Sequence, residues 1–195
     1  MKFPRASGIL LHPTSLPGPY GIGEIGPEAD RFADFLQATG QHLWQILPLG
    51  PTSYGDSPYQ SPSTFAGNPL WISFDLLIKD KLLSRSQLKN FPSFPADKVD
   101  FGPVIVARFA VLKKVCASFS ERAAPDMQRE FADFCARSAA WLDDYALFSA
   151  LKDAHGGVPW TQWEADLIRR EPAALQAARE KFADEIRAVK IVQYL

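Results

Sequence analysis

The sequence predicts an α/β fold that begins with a parallel βαβ unit and continues into a mainly helical region. Two short apolar runs, residues 7–12 (SGILLH) and 42–50 (HLWQILPLG), are typical of strands that are buried on both faces. An amphipathic helical segment separates them. Prolines concentrate in the first 70 residues and become rare afterwards, so we expect a loop-rich first part and a helical second part.

The helix between the two strands has clear start and stop signals. Pro27 suits a first helical turn, and Phe32, Phe35 and Leu36 follow the i, i+3, i+4 spacing of one apolar face. Gly40 supplies a stop. Strand, helix and strand within about forty residues predict parallel pairing with a right-handed crossover.

Three further helices are expected. Residues 104–119 and 127–151 form the first two, and the glycines and proline of 155–164 (HGGVPWTQWE) end the second. Glu171-Pro172 begins the third, whose apolar positions face one way as far as Leu195. That helix reaches Leu195 with no glycine, proline or polar tail, so we expect the chain to be truncated there.

Composition argues against several classes of protein. Basic and acidic residues are balanced, 21 against 22, which disfavours a nucleic-acid partner. Cys116 and Cys135 are too few for a disulfide framework or a cysteine zinc site, and we expect two reduced core thiols. The apolar stretch Ala6–Leu11 is too short for a signal peptide or a membrane span, so a cytoplasmic protein without membrane contact is expected. Nothing suggests a metal or an organic cofactor.

Residues 21–26, GIGEIG, match the G-x-G-x-x-G pattern of dinucleotide-binding loops. That function requires the first glycine directly after the strand, an acid at the end of the second strand, and the third glycine within the helix. Eight residues separate His12 from Gly21, the second strand ends in Leu-Gly, and Gly26 precedes Pro27. The glycines are therefore expected to shape a surface loop that leads into a helix.

Residues 51–70 form a second long loop after a strand, and ligands of α/β folds bind beyond the carboxyl ends of the strands. Its aromatic and short polar side chains suit a sugar ring, which offers C–H groups on its faces and hydroxyls around its edge. The alternative is that Tyr54 and Tyr59 only pack the loop.

Three segments together resemble 4-α-glucanotransferases, the amylomaltase or disproportionating enzymes of bacterial maltodextrin metabolism. They are ASGILLHPTSLPGPYGIGEIG (6–26), HLWQILPLGPTSYGDSPYQSPSTFAGNP (42–69) and DDYALFSALKDAHGGVPWTQW (143–163). The resemblance implies the N-terminal portion of a (β/α)8 TIM barrel, about two βα units, with a mainly helical inserted subdomain. Residues 1–74 would supply the strands, helix and rim loops, 75–170 the inserted subdomain, and 171–195 the start of a further barrel-associated helix.

The resemblance also implies transfer of α-1,4-glucan segments between chains with retention at the anomeric carbon. Retention needs two carboxylates about 5 Å apart, one of which forms a covalent glycosyl-enzyme. In the family these acids come from later barrel strands, so they are expected beyond Leu195. The chain alone is then expected to be inactive, with the remaining C-terminal part of the barrel as its partner and a maltodextrin or other α-1,4-glucan as substrate.

The resemblance to the family also implies which residues of the second loop contact the substrate. By the resemblance, Tyr59 lies against the sugar next to the cleaved bond, and Tyr54 stacks on a more distant glucose. Three polar neighbours would orient the sugar hydroxyls: Ser57, Asp56 and Gln60.

Four further residues have two interpretations each. Asn68 is expected to fix the loop, with substrate contact as the alternative. His12 either hydrogen-bonds within the floor of the site or is a core histidine. Trp160 and Trp163 are expected to pack the subdomain rather than form an outer glucan platform.

Two other functions remain open. The chain could be a non-catalytic maltodextrin-binding or vestigial product, although two βα units cannot close a barrel. It could also derive from an α-glucan hydrolase of related fold, with which the HPTSLPGPYGIG loop is less consistent.

Overall fold

The computed structural model describes residues 5–195. The chain divides into two compact units, Met1–Arg122 and Ala123–Leu195. The first unit contains a small parallel sheet, long loops and three helices, and the second contains four helices among its described elements. The chain is thus mostly helical. The division after residue 122 separates two compact units and does not test the predicted domain boundaries. The boundaries at 74/75 and 170/171 therefore remain predictions.

The sheet consists of β1 (Gly8–Leu10) and β2 (Leu43–Gln45), which pair in parallel with Ile9 opposite Trp44. Helix α1 (Pro27–Ala38) connects them. This confirms the predicted order of strand, helix and strand and its parallel pairing. Both strands are shorter than the apolar runs that predicted them. Pro13 follows the first run and Pro48 lies within the second, and neither can donate a hydrogen bond to extend the ladder.

The bounds of α1 follow from its terminal residues. Pro27 occupies its first turn, where the missing N–H costs nothing, and Glu28 and Asp30 lie at its positive end. Beyond its C-terminus, Gly40 adopts a φ of +69°, which an L-residue rarely takes. The predicted start and stop are therefore confirmed.

Only one face of the sheet is covered. On the α1 side, the rings of Phe32 and Trp44 lie 4.9 Å apart, edge to face. On the opposite face Leu10 and Leu43 are 57% and 59% exposed. The prediction that both strands are buried on both faces is therefore wrong for this structure, because a two-stranded sheet cannot close on itself to bury its second face.

The rest of the first unit packs around the loops. Helices α2 (Phe74–Lys79) and α3 (Phe101–Arg122) follow the second loop, and Ser73 caps α2 by accepting a bond from the Leu76 amide. One core cluster joins the two loops to α3 and comprises Ile22, Leu70, Trp71 and Val104. The loops are thus anchored in the hydrophobic core.

The second unit begins with the long helix α4 (Pro125–Ala154), followed by α5 (Ala165–Ile168), α6 (Pro172–Lys181) and α7 (Ala183–Tyr194). The sequence predicts one helix from 172 onwards, and this is wrong. The backbone of Phe182 leaves the helical region at φ −110°, ψ 29°, so α6 and α7 are separate. The Phe182 ring packs at this break against Leu147, Leu151 and Ala178.

No helix within residues 5–195 is both long enough and apolar enough to cross a membrane.

Candidate functional site

Two long loops begin at the same edge of the sheet, because β1 and β2 run parallel. We call residues 12–26 the first rim loop and residues 51–70 the second rim loop. Their far ends also meet: the Ile25 amide donates to the Trp71 carbonyl over 3.0 Å, and Ile25 and Ile72 form a parallel bridge. Two segments that are distant in sequence therefore share one base.

The second rim loop is closed by its own polar groups. The amide and hydroxyl of Ser53 both donate to the Gln60 carbonyl, over 3.0 and 2.8 Å. The Gln60 amide donates to the Ser57 carbonyl over 3.1 Å. These bonds hold residues 54–60, which we call the crest, as a compact turn. Ser53 was not among the predicted site residues, although Ser is a common partner of turn backbone.

The crest presents its aromatic side chains to solvent. Tyr54 is 84% exposed and Tyr59 is 71% exposed, so neither ring packs the loop. Gly55 and Asp56 both adopt a left-handed backbone, with φ values of 66° and 54°. A non-glycine residue in that region is uncommon and is often found at functional sites. The crest therefore brings together Tyr54, Asp56, Ser57, Tyr59 and Gln60.

The second half of this loop is fixed by side-chain caps. The Ser63 hydroxyl accepts bonds from the amides of Phe65 and Ala66, over 3.2 and 3.1 Å. Asn68 is buried, and its Oδ1 accepts a bond from the Leu70 amide over 3.0 Å, which caps the short turn 69–71. These contacts agree with a loop-fixing role for Asn68, which is not one of the crest residues 54–60.

His12 lies at the start of the first rim loop and is half-buried. Its Nδ1 is 2.7 Å from the Thr14 hydroxyl, and its ring meets the Trp71 ring edge to face at 5.5 Å. Burial lowers the pKa of His12, and the backbone of Pro48 partly opposes that shift. The residue therefore belongs to the packed base of the loops in its neutral form.

All residues of the GIGEIG segment except Ile25 are buried, so the prediction that its glycines shape a surface loop is wrong. A Cβ on Gly21, whose φ is +81°, would lie 2.6 Å from the Phe94 ring. A Cβ on Gly23 would collide with the Pro13 carbonyl, and one on Gly26 would lie 2.5 Å from the Ser73 hydroxyl. The glycines thus allow close packing of backbone against the neighbouring segments, which leaves the segment no room for phosphates.

Glu24, within the same segment, forms a buried ion pair with Arg108 of α3. Nη1 of Arg108 donates to Oε1 of Glu24 over 2.6 Å, and Arg108 is fully buried. The prediction of site residues did not include this pair. Its sequence signal was a single charged residue in the otherwise apolar stretch VIVARFAV, together with an acid inside a glycine-rich segment.

In the second unit, Trp163 is packed as predicted. Its ring stacks on His155 at 5.0 Å and lies 5.7 Å from Phe148. Trp160 is 51% exposed. Across the part of the chain that the structure describes, no three His, Cys, Asp or Glu side chains converge as a metal site would require.

Comparisons with known proteins show the family to which the chain is related. The model of the 4-alpha-glucanotransferase family matches residues 11–195. A 4-alpha-glucanotransferase of Thermus thermophilus is 48% identical over 195 residues, which is 100% of this chain and 38% of that protein. One from Synechocystis is 44% identical over 98% of this chain and 38% of its own length.

Solved structures of amylomaltases also match this chain. An amylomaltase from Streptococcus agalactiae, in complex with acarbose, matches 98% of this chain and 38% of its own with a TM-score of 0.91 and 41% identity. An amylomaltase from Corynebacterium glutamicum, 19% identical with a TM-score of 0.64, shares the fold over 94% of this chain and 28% of its own. The chain spans little more than a third of the length of its first relatives. On the family match over residues 11–195, the chain belongs to the 4-alpha-glucanotransferase family.

Proposed function

We propose that the chain is the part of a 4-α-glucanotransferase that holds the donor glucan, through the crest of the second rim loop. One observation carries this proposal: Tyr54 and Tyr59 are exposed on a turn that is otherwise fixed by hydrogen bonds. A rigid turn with exposed aromatic rings loses little entropy when a sugar stacks on it. The acarbose bound to the Streptococcus agalactiae amylomaltase supports a carbohydrate ligand for the matching fold.

The crest residues have different roles in binding a sugar ring. Tyr59 contacts the sugar beside the cleaved bond, and Tyr54 stacks on a more distant one. The carboxylate of Asp56 accepts bonds from hydroxyls, while Ser57 and Gln60 both donate and accept. We assign His12 and Asn68 to the base, where they hold the loops in position. The substrate is a maltodextrin or another α-1,4-glucan.

The chemical step belongs to carboxylates outside this chain, in the part of its relatives that it does not span. A carboxylate oxygen attacks the anomeric carbon as the glycosidic C–O bond breaks, and a second carboxylic acid protonates the leaving 4-oxygen. The same group then takes the proton from the 4-hydroxyl of an acceptor glucan, whose oxygen displaces the enzyme carboxylate. Each of the two displacements inverts the anomeric carbon, so together they retain its configuration.

The architecture that we propose is the first two strands of a (β/α)8 barrel. Leu10 and Leu43 lie on the face opposite α1, where a barrel places its interior side chains. The partner of this open face is the C-terminal part of the same barrel. Residues 75–170 would then form the inserted helical subdomain.

A chimera tests the proposal. This chain replaces the matching segment of the Thermus thermophilus 4-alpha-glucanotransferase, and glucose release from maltotriose is measured. We expect transferase activity from the chimera and none from the 195-residue chain alone. A folded but inactive chimera would refute the assignment, and turnover by the chain alone would refute the placement of the carboxylates.

A second measurement distinguishes the proposed function from the alternative of a non-catalytic maltodextrin-binding product. That alternative is favoured by the crest, whose candidate sugar-binding residues all lie within this chain. Binding of maltoheptaose to the chain alone is followed by intrinsic fluorescence. Binding together with an inactive chimera would favour that alternative. A chimera that transfers glucan with a product anomer of retained configuration would exclude it.

A further inference from the structure

Glu24 and Arg108 lie 84 residues apart and connect three segments. Arg108 projects from α3, Glu24 belongs to the first rim loop, and the guanidinium also reaches Ile72, just beyond the second rim loop. Nη1 donates to Oε1 of Glu24 and Nη2 donates to the Ile72 carbonyl, each over 2.6 Å. One side chain therefore bonds to the base of both loops at once.

The surroundings of this pair are those of a fixed connection rather than a surface ion pair. The guanidinium lies 4.2 Å from the centre of the Phe74 ring, and Oε2 of Glu24 accepts a bond from the Phe74 amide over 3.3 Å. Burial raises the pKa of the Glu24 carboxyl, and the Arg108 guanidinium opposes that shift. Two buried charges are expensive to desolvate, and an apolar pair of similar volume would often be equally stable. Stability alone therefore gives no reason for a pair here.

Directional bonds offer something that apolar packing does not. Bonds from one planar guanidinium fix both the separation and the angle of the groups that accept them. Here those groups are a side chain of the first rim loop and a carbonyl next to the second. The adjacent Ile25–Trp71 bond and the buried glycines leave the two segments in direct contact.

We propose that Arg108 and Glu24 are positioning residues, which hold the two rim loops in the one arrangement that binds glucan. This inference rests on the proposed function, since it assigns a purpose to the base beneath the crest. Both side chains are buried, which places them away from direct contact with a substrate. Its effect reaches the sugar through the loops and should therefore appear in substrate affinity.

The test uses the Thermus thermophilus chimera and two variants. In the double variant Arg108→Met/Glu24→Leu, apolar packing replaces the charges, and we expect the melting temperature to be largely retained. We expect its KM for maltotriose to rise about tenfold while kcat stays within about twofold, the pattern of lost substrate binding. A purely structural pair would leave KM unchanged whenever the melting temperature is retained.

The second variant, Arg108→Lys, keeps the charge but loses the planar fork that reaches two acceptors. We expect a several-fold rise in KM here as well. The matched control is Arg31→Met, which removes an exposed arginine paired with Glu28 on α1 and should change neither constant. A KM within twofold of the unaltered chimera in both test variants would overturn the proposal.

Amide hydrogen exchange provides a measurement of loop order that does not require an active chimera. In the chimera, the amides of Gly23, Ile25 and Trp71 are expected to exchange faster in both test variants, while those of α4 and α7 are unchanged. Unaltered exchange at all three amides would overturn the proposal even if the chimera is inactive. An inactive chimera with the expected exchange would refute the proposed function and leave the positioning role supported.

Discussion

The Nε2 atom of His155 lies 2.8 Å from a carboxylate oxygen of Glu164, across the turn between α4 and α5. Its Nδ1 lies 2.7 Å from the Leu151 carbonyl oxygen. Both neighbours are acceptors, so both ring nitrogens can be satisfied only when each carries a proton. The geometry thus favours the imidazolium form, stacked on Trp163.

This arrangement predicts a pH-dependent stability. The Leu151 carbonyl and then Glu164 raise the pKa of His155 above 6.5, against a smaller lowering by burial and by Lys181. A raised pKa contributes stability that is fully present below pH 6.5 and is lost as pH rises through the folded value. The bond to His155 also lowers the pKa of Glu164 from 4.5, so its share is lost as pH falls through that lowered value.

Urea unfolding of the chain across this range checks the prediction. We expect His155→Gln to flatten the decline in unfolding free energy above pH 6.5. An NMR titration should place the pKa of His155 above 6.5, and a value below it would contradict the geometry.

Gly55 and Gly67 provide a matched pair within the second rim loop. An added Cβ meets nothing within 4 Å at either position, but only Gly55 has a positive φ. Gly55→Ala should therefore destabilise the loop through backbone strain alone, by about 1–2 kcal/mol. Gly67→Ala should be neutral or stabilise by up to about 1 kcal/mol. Equal losses in thermal unfolding would show that the left-handed turn is not required.

Asn68 tests whether the base of the loop depends on its cap. Asn68→Ala removes the acceptor for the Leu70 amide and should cost about 1 kcal/mol in chemical unfolding. Asn68→Asp keeps the acceptor and should cost less. Asn90→Ala, at an exposed position, is the control and should change little. If Asn68→Ala left stability unchanged but reduced glucan affinity in the chimera, a substrate contact would replace the loop-fixing role.

Tyr59 and Trp163 separate binding from packing. Tyr59 is 71% exposed, so Tyr59→Ala should leave the melting temperature of the chimera nearly unchanged while lowering kcat/KM by at least about tenfold. Trp163 packs against Phe148 and His155, so Trp163→Ala should lower the melting temperature with a smaller effect on kcat/KM. Equal effects of both variants on catalysis would refute the crest as the glucan site.

Local signals in the sequence predicted the elements that depend on local physics. Pro27 and Gly40 marked the ends of α1 because the proline ring fixes φ near its helical value, whereas glycine tolerates the positive φ that follows the last turn. The parallel pairing of β1 and β2 followed from the lengths of the segments between them. The composition of the second rim loop indicated a sugar site but left open whether Tyr54 and Tyr59 pack the loop, and the hydrogen bonds that close the crest through Ser53 were not predicted.

What the sequence could not predict depends on contacts between distant residues. The burial of Gly21 and Gly26 results from Phe94, Val104 and Ser73, none of which is near GIGEIG in the chain, while Gly23 packs on the nearby Pro13 and Leu16. The break at Phe182 interrupts an apolar pattern that continues unchanged through it, because the ring packs on α4. The open face of Leu10 and Leu43 has the same apolar pattern as a covered one.

The bond between Glu24 and Arg108 also sets an order of events in folding. A loop closed across 84 residues forms only after most of the first unit has been synthesised, and the entropy of closing it must first be offset. During synthesis the first rim loop therefore emerges long before the helix that fixes it. The first unit has non-local contacts at its base, whereas helices such as α4 complete their own hydrogen bonds at once. We therefore expect the two rim loops to be the slowest part of the chain to mature.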